Sequence, residues 1–158
     1  MTCTSPGKTF NLAGLQISNI IIPNESLRKE FQHQVTAAGY SQVGAPGIFA
    51  LIAAYTKGEE WYQAMKQYVK SNIDFLHTWM AEHLPQIKVT KTEGTYLVWM
   101  DFRALGLSDK ELKELIEDKA EVWLDGGAIF GDPGSGFERI NVACQRATLV
   151  EALDRIEK

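Results

Sequence analysis

The chain has 158 residues, a hydrophobic fraction of 45% and a formal net charge of -4. This length allows one hydrophobic core, or a small domain attached to part of a larger one. Charges of both signs are interspersed and no apolar run reaches the length of a membrane span, so we expect neither nucleic acid nor a membrane as a partner. Two cysteines without CxxC spacing and three scattered histidines predict a cytoplasmic protein with reduced thiols and no metal site.

The first part of the chain predicts a strand, a turn, a second strand and two helices. Residues 1–4 resemble the end of a strand that enters the turn of residues 5–8. The β-branched run of residues 17–22, stopped by a proline, predicts a short buried strand. Asn24 is expected to cap a helix that ends at Gly39, and a short apolar helix is expected through residues 48–55.

After Gly58 the pattern predicts a complete small domain. Its long first helix carries a stripe that we expect in the core, formed by Trp61, Met65, Tyr68, Phe75, Leu76 and Trp79. Strands are expected near residues 87–90, 95–102, 122–124 and 137–144. The capping-box spacing of Ser108 and Glu111 predicts another helix, and a final helix contains Leu149, Leu153 and Ile156.

These elements predict an α/β fold in two parts. Residues 58–158 are expected to form a small mixed or antiparallel sheet with helices on one face. Residues 1–57 contain too few strands for a sheet of their own and are interpreted as a piece of a larger domain. We therefore expect this first part to expose apolar surface and to favour self-association of the chain.

Lys8 is the first candidate for chemistry. With Gly7 and Thr9 it resembles the end of a phosphate-binding P-loop, but Thr2 stands where that motif requires glycine. A lysine at a strand-to-turn junction, with Ser5 and Thr9 nearby, can instead hold an aldehyde cofactor as an imine. On spacing alone, a merely solvated lysine is the more common case.

Arg139 is the second candidate. It alternates with Ile140 and Val142 in a predicted strand, so its side chain lies on the opposite face from theirs. An arginine on a core strand needs an anionic partner, and its planar guanidinium suits a carboxylate. A bound ligand and an internal salt bridge explain the pattern equally well.

The order of several motifs resembles one known family. The lysine segment 8–15 (KTFNLAGL) is similar to the cofactor-lysine signature of class I/II aminotransferases, the fold-type I pyridoxal phosphate (PLP) enzymes. Segment 18–24 (SNIIIPN) is similar to the branch of MalY/PatB-type cystathionine β-lyases. Three further segments agree in order: 39–44 (GYSQVG), 93–101 (EGTYLVWMD) and 139–146 (RINVACQR).

The resemblance implies roles for individual residues. Lys8 would form the internal aldimine with PLP and move the substrate α-proton. Arg139 would bind the substrate α-carboxylate, Ser5 would contact the cofactor phosphate, and Tyr96 would approach the substrate. Gln16 departs from the arginine that many members carry at this position, so the site must find positive charge for the phosphate elsewhere.

The resemblance also implies what lies outside this chain. In such enzymes the aspartate that pairs with the pyridine nitrogen, the stacking aromatic and the glycine-rich phosphate turn precede the lysine. Residues 1–57 would then be the C-terminal piece of the large PLP-binding domain, and residues 58–158 the small C-terminal domain. We expect a PLP-dependent aminotransferase or C–S β-lyase that acts on amino acids as a homodimer, with the fragment inactive by itself. The alternative is a stand-alone binding or scaffolding module.

Overall fold

The computed structural model describes residues 1–40 and 42–158, which contain both helices and strands. They follow in the order β1 (Thr2–Thr4), β2 (Asn19–Ile21), α1 (Glu25–Ala37), α2 (Ala45–Lys57), α3 (Glu59–His83), β3 (Lys88–Val89), β4 (Leu97–Asp101), α4 (Asp109–Lys113), β5 (Asp125–Gly126), β6 (Phe137–Asn141) and α5 (Arg146–Glu157). The chain divides into two compact units, unit 1 (Met1–Met65) and unit 2 (Lys66–Lys158). Among the described residues, no helix is both long and apolar enough to cross a lipid bilayer.

In unit 1, a two-stranded antiparallel ribbon precedes the helices. β1 pairs with β2 so that Thr2 lies opposite Ile21 and Thr4 opposite Asn19. The predicted cap of α1 is confirmed, because the Asn24 side chain accepts a hydrogen bond of 2.9 Å from the amide of Leu27. Gly39 follows the helix with a φ of +80°, a left-handed conformation that glycine adopts without strain.

Unit 1 buries little of its apolar surface. The prediction of a buried strand at residues 17–22 is wrong, since Ile21 is 55% exposed and of this run only Ile22 is buried. The ribbon has only two strands, which are too few to bury these side chains. Helix α1 has no buried residue at all. The expectation that the first part of the chain exposes apolar surface is confirmed.

Unit 2 is organised around a four-stranded antiparallel sheet in the order β3-β4-β6-β5. In its central pair, Trp99 lies opposite Arg139. One face is buried through Val98 and Met100 of β4 and through Ile140 of β6. The helices of the same unit contribute further fully buried side chains, namely Leu76, Met80, Leu149 and Leu153. The predicted small sheet with one covered face is therefore confirmed.

Two predictions for residues 58–158 are wrong in detail. No strand forms at residues 122–124; the third strand of this sheet in chain order, β5, begins at Asp125 instead. The amide of Val122 donates to the carbonyl of Ile116, at the end of the preceding helical segment, and so it cannot join a strand ladder. Trp61, placed in the core stripe of α3, is 51% exposed, and Tyr68 is exposed as well.

Helix α4 begins at the predicted capping box. The Ser108 hydroxyl accepts from the amide of Glu111, whose carboxylate accepts from the amide of Ser108. The helical path continues as a π-helical segment over Glu114–Lys119.

A buried asparagine joins α3 to the end of β6. The side-chain nitrogen of Asn72 donates to the carbonyls of Val142 (2.9 Å) and Cys144 (3.0 Å). Its oxygen accepts a bond of 2.8 Å from Nε of Arg146, at the start of α5. Since Asn72 is fully buried, this network satisfies polar groups that would otherwise be costly to bury.

Candidate functional site

The turn that presents Lys8 is braced by Ser5. The Ser5 hydroxyl accepts from the amide of Gly7 (3.0 Å) and donates to the carbonyl of Ile17 (3.1 Å). Gly7 is buried, and a Cβ there would come within 3.1 Å of the Ser5 oxygen. Glycine at position 7 therefore keeps the turn compact, and Lys8 follows it as an exposed residue.

The predicted phosphate role of Ser5 meets a local competitor. Its only hydroxyl proton is used by the carbonyl of Ile17, and a phosphate oxygen needs that proton as a donor. The lone pair that remains on the Ser5 oxygen cannot bind a phosphate oxygen, because both groups are acceptors. Ser5 braces this turn, and its contact with a phosphate stays a prediction.

The Lys8 amine is available for chemistry. Within the described residues, Nζ of Lys8 makes no hydrogen bond or ion pair. An exposed primary amine without a carboxylate partner fits the carbonyl end of PLP, which attaches to a lysine nitrogen. Gln16, eight residues on, is exposed in a left-handed conformation with a φ of 49°. These observations are compatible with the predicted attachment of PLP to Lys8, which stays a prediction.

Arg139 lies in unit 2, on the half-exposed face of the sheet. Its Nε and Nη2 both donate to Oδ2 of Asp125, at 3.1 Å and 2.7 Å. The two residues are direct cross-strand partners in β5 and β6. The guanidinium carbon also lies 4.4 Å from the ring centroid of Phe130. The internal salt bridge considered from the sequence is present, and it leaves part of the guanidinium open.

Asp125 itself was not among the sequence candidates. Its opposition to Arg139 depends on the register of two strands that are separate in sequence. The available signal is an acidic residue at the start of the glycine-rich segment that precedes the arginine strand. That signal does not reveal which side chain faces it.

Tyr96 is held at the entrance to β4. Its carbonyl accepts a hydrogen bond of 2.9 Å from the amide of Val142. The preceding Thr95 has a φ of 63°, and its hydroxyl accepts from the amide of Leu97 at 3.1 Å. The Tyr96 side chain is half-buried, and its approach to a substrate stays a prediction.

A second carboxylate missed from the sequence, Glu138, lies on the buried face of β6 and is 5% exposed. Burial raises the pKa of Glu138 to about 7, and the nearby carboxylates of Glu117, Asp125 and Asp109 add to the rise. The alternation that places Ile140 and Val142 inward also places Glu138 inward, so the sequence carried the signal.

Of the segments quoted above for their resemblance to a family, residues 39–44 include Ser41, which lies outside the described residues. Across residues 1–40 and 42–158, no group of three or more histidine, cysteine, aspartate or glutamate side chains is placed to hold a metal ion. Lys8 belongs to unit 1, whereas Tyr96, Asp125 and Arg139 belong to unit 2.

Comparison with known proteins gives a consistent family. The model of the family "Aminotransferase class I and II" matches residues 1–156. The chain is 40% identical over 157 residues to cystathionine beta-lyase PatB of Bacillus subtilis. The matched region covers 99% of this chain and 41% of PatB.

Two solved structures are similar to the whole described fold. A PLP-bound protein from Clostridium difficile 630, described as an aminotransferase, has a TM-score of 0.95 and 44% identity over 98% of this chain and 40% of its own. Cystalysin from Treponema denticola, which contains PLP, has a TM-score of 0.95 and 37% identity over 98% of this chain and 39% of its own. The chain thus spans about 40% of the length of these relatives.

Proposed function

Because the chain belongs to the class I and II aminotransferase family, we propose that it supplies the cofactor lysine and the substrate-binding arginine of a PLP-dependent enzyme that acts on amino acids. The observation that carries the proposal is Lys8, an exposed amine without a partner among the described residues, on a turn held by Ser5 and Gly7. The segments around it and around Arg139 lie in one continuous family match.

Each residue has a separate task in this proposal. PLP, when bound, supplies an electron sink for negative charge at the substrate Cα. Lys8 attaches the cofactor and then moves the proton at Cα through its amine nitrogen. Arg139 binds the substrate α-carboxylate with its planar guanidinium. Tyr96 lines the substrate side, and Ser5 contacts the phosphate if its bond to Ile17 is exchanged.

We assign the reaction to carbon–sulfur β-elimination rather than to transamination. The support is the 40% identity with PatB, a cystathionine beta-lyase, over nearly the whole chain. The C. difficile relative described as an aminotransferase keeps transamination as the competing outcome. Both reactions begin with removal of the same α-proton, so the residues described here serve either one.

The proposal extends to the setting of the enzyme. Since the relatives are more than twice as long, we propose that this chain functions with further residues that complete the cofactor site. Residues 1–57 would be part of the large domain and residues 58–158 the small domain. Exposed apolar side chains in unit 1, including Phe49 and Ile52, support coverage by that remainder and by a homodimer partner. The free thiols Cys3 and Cys144 are compatible with a cytoplasmic enzyme.

A chimera tests the proposal directly. The matching segment of B. subtilis PatB is replaced by this chain, and pyruvate release from cystathionine is measured. We expect turnover in the chimera and its loss in Lys8→Ala, with no change in Lys57→Ala, a matched exposed lysine of unit 1. Transfer of an amino group to 2-oxoglutarate without pyruvate release would make the enzyme an aminotransferase. A folded chimera that binds PLP but performs neither reaction would contradict the proposal.

The chain by itself provides the complementary test. Borohydride reduction after mixing with PLP fixes the cofactor to any lysine that has captured it, and peptide mass spectrometry locates the label. We expect the unaccompanied chain to label Lys8 no more than Lys57, and to turn over neither substrate. Selective, stoichiometric labelling of Lys8 would show that the chain holds the cofactor without further residues.

A further inference from the structure

We propose that Asp125 is a positioning residue for Arg139, which fixes one edge of the guanidinium and leaves the other edge directed to a substrate carboxylate. The carboxylate part of this inference rests on the proposed function. The positioning part rests on the ion pair alone.

The bonds to Asp125 occupy one defined edge of the arginine. Nε and Nη2 of Arg139 converge on the single oxygen Oδ2 of Asp125, at 3.1 Å and 2.7 Å. This contact uses the Nε–H and one hydrogen of Nη2. Both hydrogens of Nη1 and the second hydrogen of Nη2 remain. That Nη2 hydrogen and one hydrogen of Nη1 form the end-on edge, which can bind a carboxylate with two parallel bonds.

The remaining edge keeps donors that can bind a ligand. Within the described residues, Nη1 of Arg139 has no hydrogen-bond partner. The Arg139 side chain is 23% exposed, so solvent or a ligand reaches it. The ring centroids of Phe130, at 4.4 Å, and Trp99, at 6.0 Å, flank the guanidinium carbon. Asp125 and the two rings therefore restrict the orientation of a group that still has donors to offer.

The backbone fixes the position of Asp125. Asp125 and Gly126 form the two-residue strand β5, in which Asp125 lies opposite Arg139 and Gly126 opposite Glu138. The next residue, Gly127, packs so closely that a Cβ there would lie 2.1 Å from the carbonyl oxygen of Gly134 and 2.8 Å from that of Phe137. Only glycine permits this approach, and the approach anchors the segment that carries Asp125.

The competing interpretation is that Asp125 occupies the substrate position and must leave before a carboxylate can bind. The two interpretations predict opposite effects of removing it. If Asp125 positions Arg139, its loss weakens substrate binding because the guanidinium gains freedom. If Asp125 competes, its loss strengthens substrate binding because an internal anion no longer occupies the arginine.

The positioning is measured on the complete 158-residue chain by nitrogen-15 NMR of arginine side chains, with Arg139→Lys used to assign the Arg139 signal. We expect Asp125→Ala to accelerate Nε–H exchange of Arg139 by about tenfold, as for a lost hydrogen bond to a charged group. Asp125→Asn should have a smaller effect, since its amide oxygen still accepts. Asp101→Ala is the control, because it releases Arg103 from another arginine–aspartate ion pair of unit 2 and should leave Arg139 exchange unchanged. Unchanged Arg139 exchange in Asp125→Ala would overturn the inference.

The consequence for substrate is measured in the PatB chimera. We expect Asp125→Ala to raise KM for cystathionine about tenfold with kcat within about twofold, while Asp125→Asn retains most of the affinity. A lower KM in both variants would overturn positioning in favour of competition. Failure of the proposed function has a different signature, in which Arg139→Lys leaves KM unchanged while the NMR result for Asp125 still holds.

Discussion

Units 1 and 2 differ in how completely they bury their apolar side chains. Leu76, Val98 and Met100 of unit 2 are fully buried, whereas Phe49 and Ile21 of unit 1 face solvent. Burial of apolar area is the main term that offsets the conformational entropy lost on folding. Unit 2 therefore gains much of its stability from its own hydrophobic core, whereas unit 1 leaves much of its apolar surface exposed.

Arg139 and Lys8 are consequently held in place by different structures. Arg139 lies in a central strand of the sheet, between β4 and β5. Lys8 lies on a turn whose bracing comes from the Ser5 hydroxyl and a few backbone bonds. We expect the geometry around Arg139 to persist in the unaccompanied chain, and the geometry around Lys8 to depend more on what covers unit 1.

The largest expected effect comes from truncating the core of unit 2. Leu76→Ala removes a fully buried side chain and should lower the free energy of unfolding by about 2–5 kcal/mol. Phe49→Ala, a larger truncation on the exposed surface of unit 1, should change it by less than about 0.5 kcal/mol. Urea unfolding followed by circular dichroism measures both. A comparable loss in the two variants would remove the distinction between the units.

The next effect concerns Glu138, an ionisable side chain that is buried in unit 2. The pKa of Glu138 is raised from 4.5 to about 7, so the folded state holds this proton more tightly than the unfolded state. Stability should therefore be highest below pH 4.5 with respect to this group, fall as the pH rises to about 7, and level off above it. The fall should be roughly 3 kcal/mol, at about 1.4 kcal/mol per pKa unit.

Glu138→Gln should abolish this part of the pH dependence, because glutamine does not ionise. At pH 8 the variant should be more stable than the parent chain, and near pH 4.5 about equal. Urea unfolding between these pH values measures the difference, with the exposed Glu82→Gln as control. Parallel pH profiles for Glu138→Gln and the parent chain would show that the buried carboxyl does not retain its proton.

Local signals explain which parts of the fold could be predicted. The starts of α1 and α4 follow from Asn24 and Ser108, because a cap acts within three residues of its own position. The strand expected at residues 122–124 failed, because the amide of Val122 is taken by Ile116 at a helix end. Strand boundaries depend on such partners, which periodicity does not reveal.

The same limit applies to the candidate site. Lys8 and Arg139 could be selected because each belongs to a local motif. Asp125 could not, since its place beside Arg139 arises from the register of β5 and β6. Glu138 was accessible through simple alternation with Ile140, but a carboxylate on an apolar face runs against the usual cost of burying charge.

The smallest expected effect compares two helix caps, one in each unit. Asn24 caps α1 through the amide of Leu27, and Ser108 caps α4 through the amide of Glu111. Replacement of either by alanine should cost its own helix about 1 kcal/mol. If unit 2 alone determines the main unfolding transition, Ser108→Ala lowers its urea midpoint, whereas Asn24→Ala leaves it unchanged.

Asn24→Ala should instead speed hydrogen exchange in peptides from α1, with the exposed Ser26→Ala as control. Equal midpoint shifts for the two caps would mean that both units unfold together, because a local loss lowers a global transition only when the helix belongs to the cooperative structure.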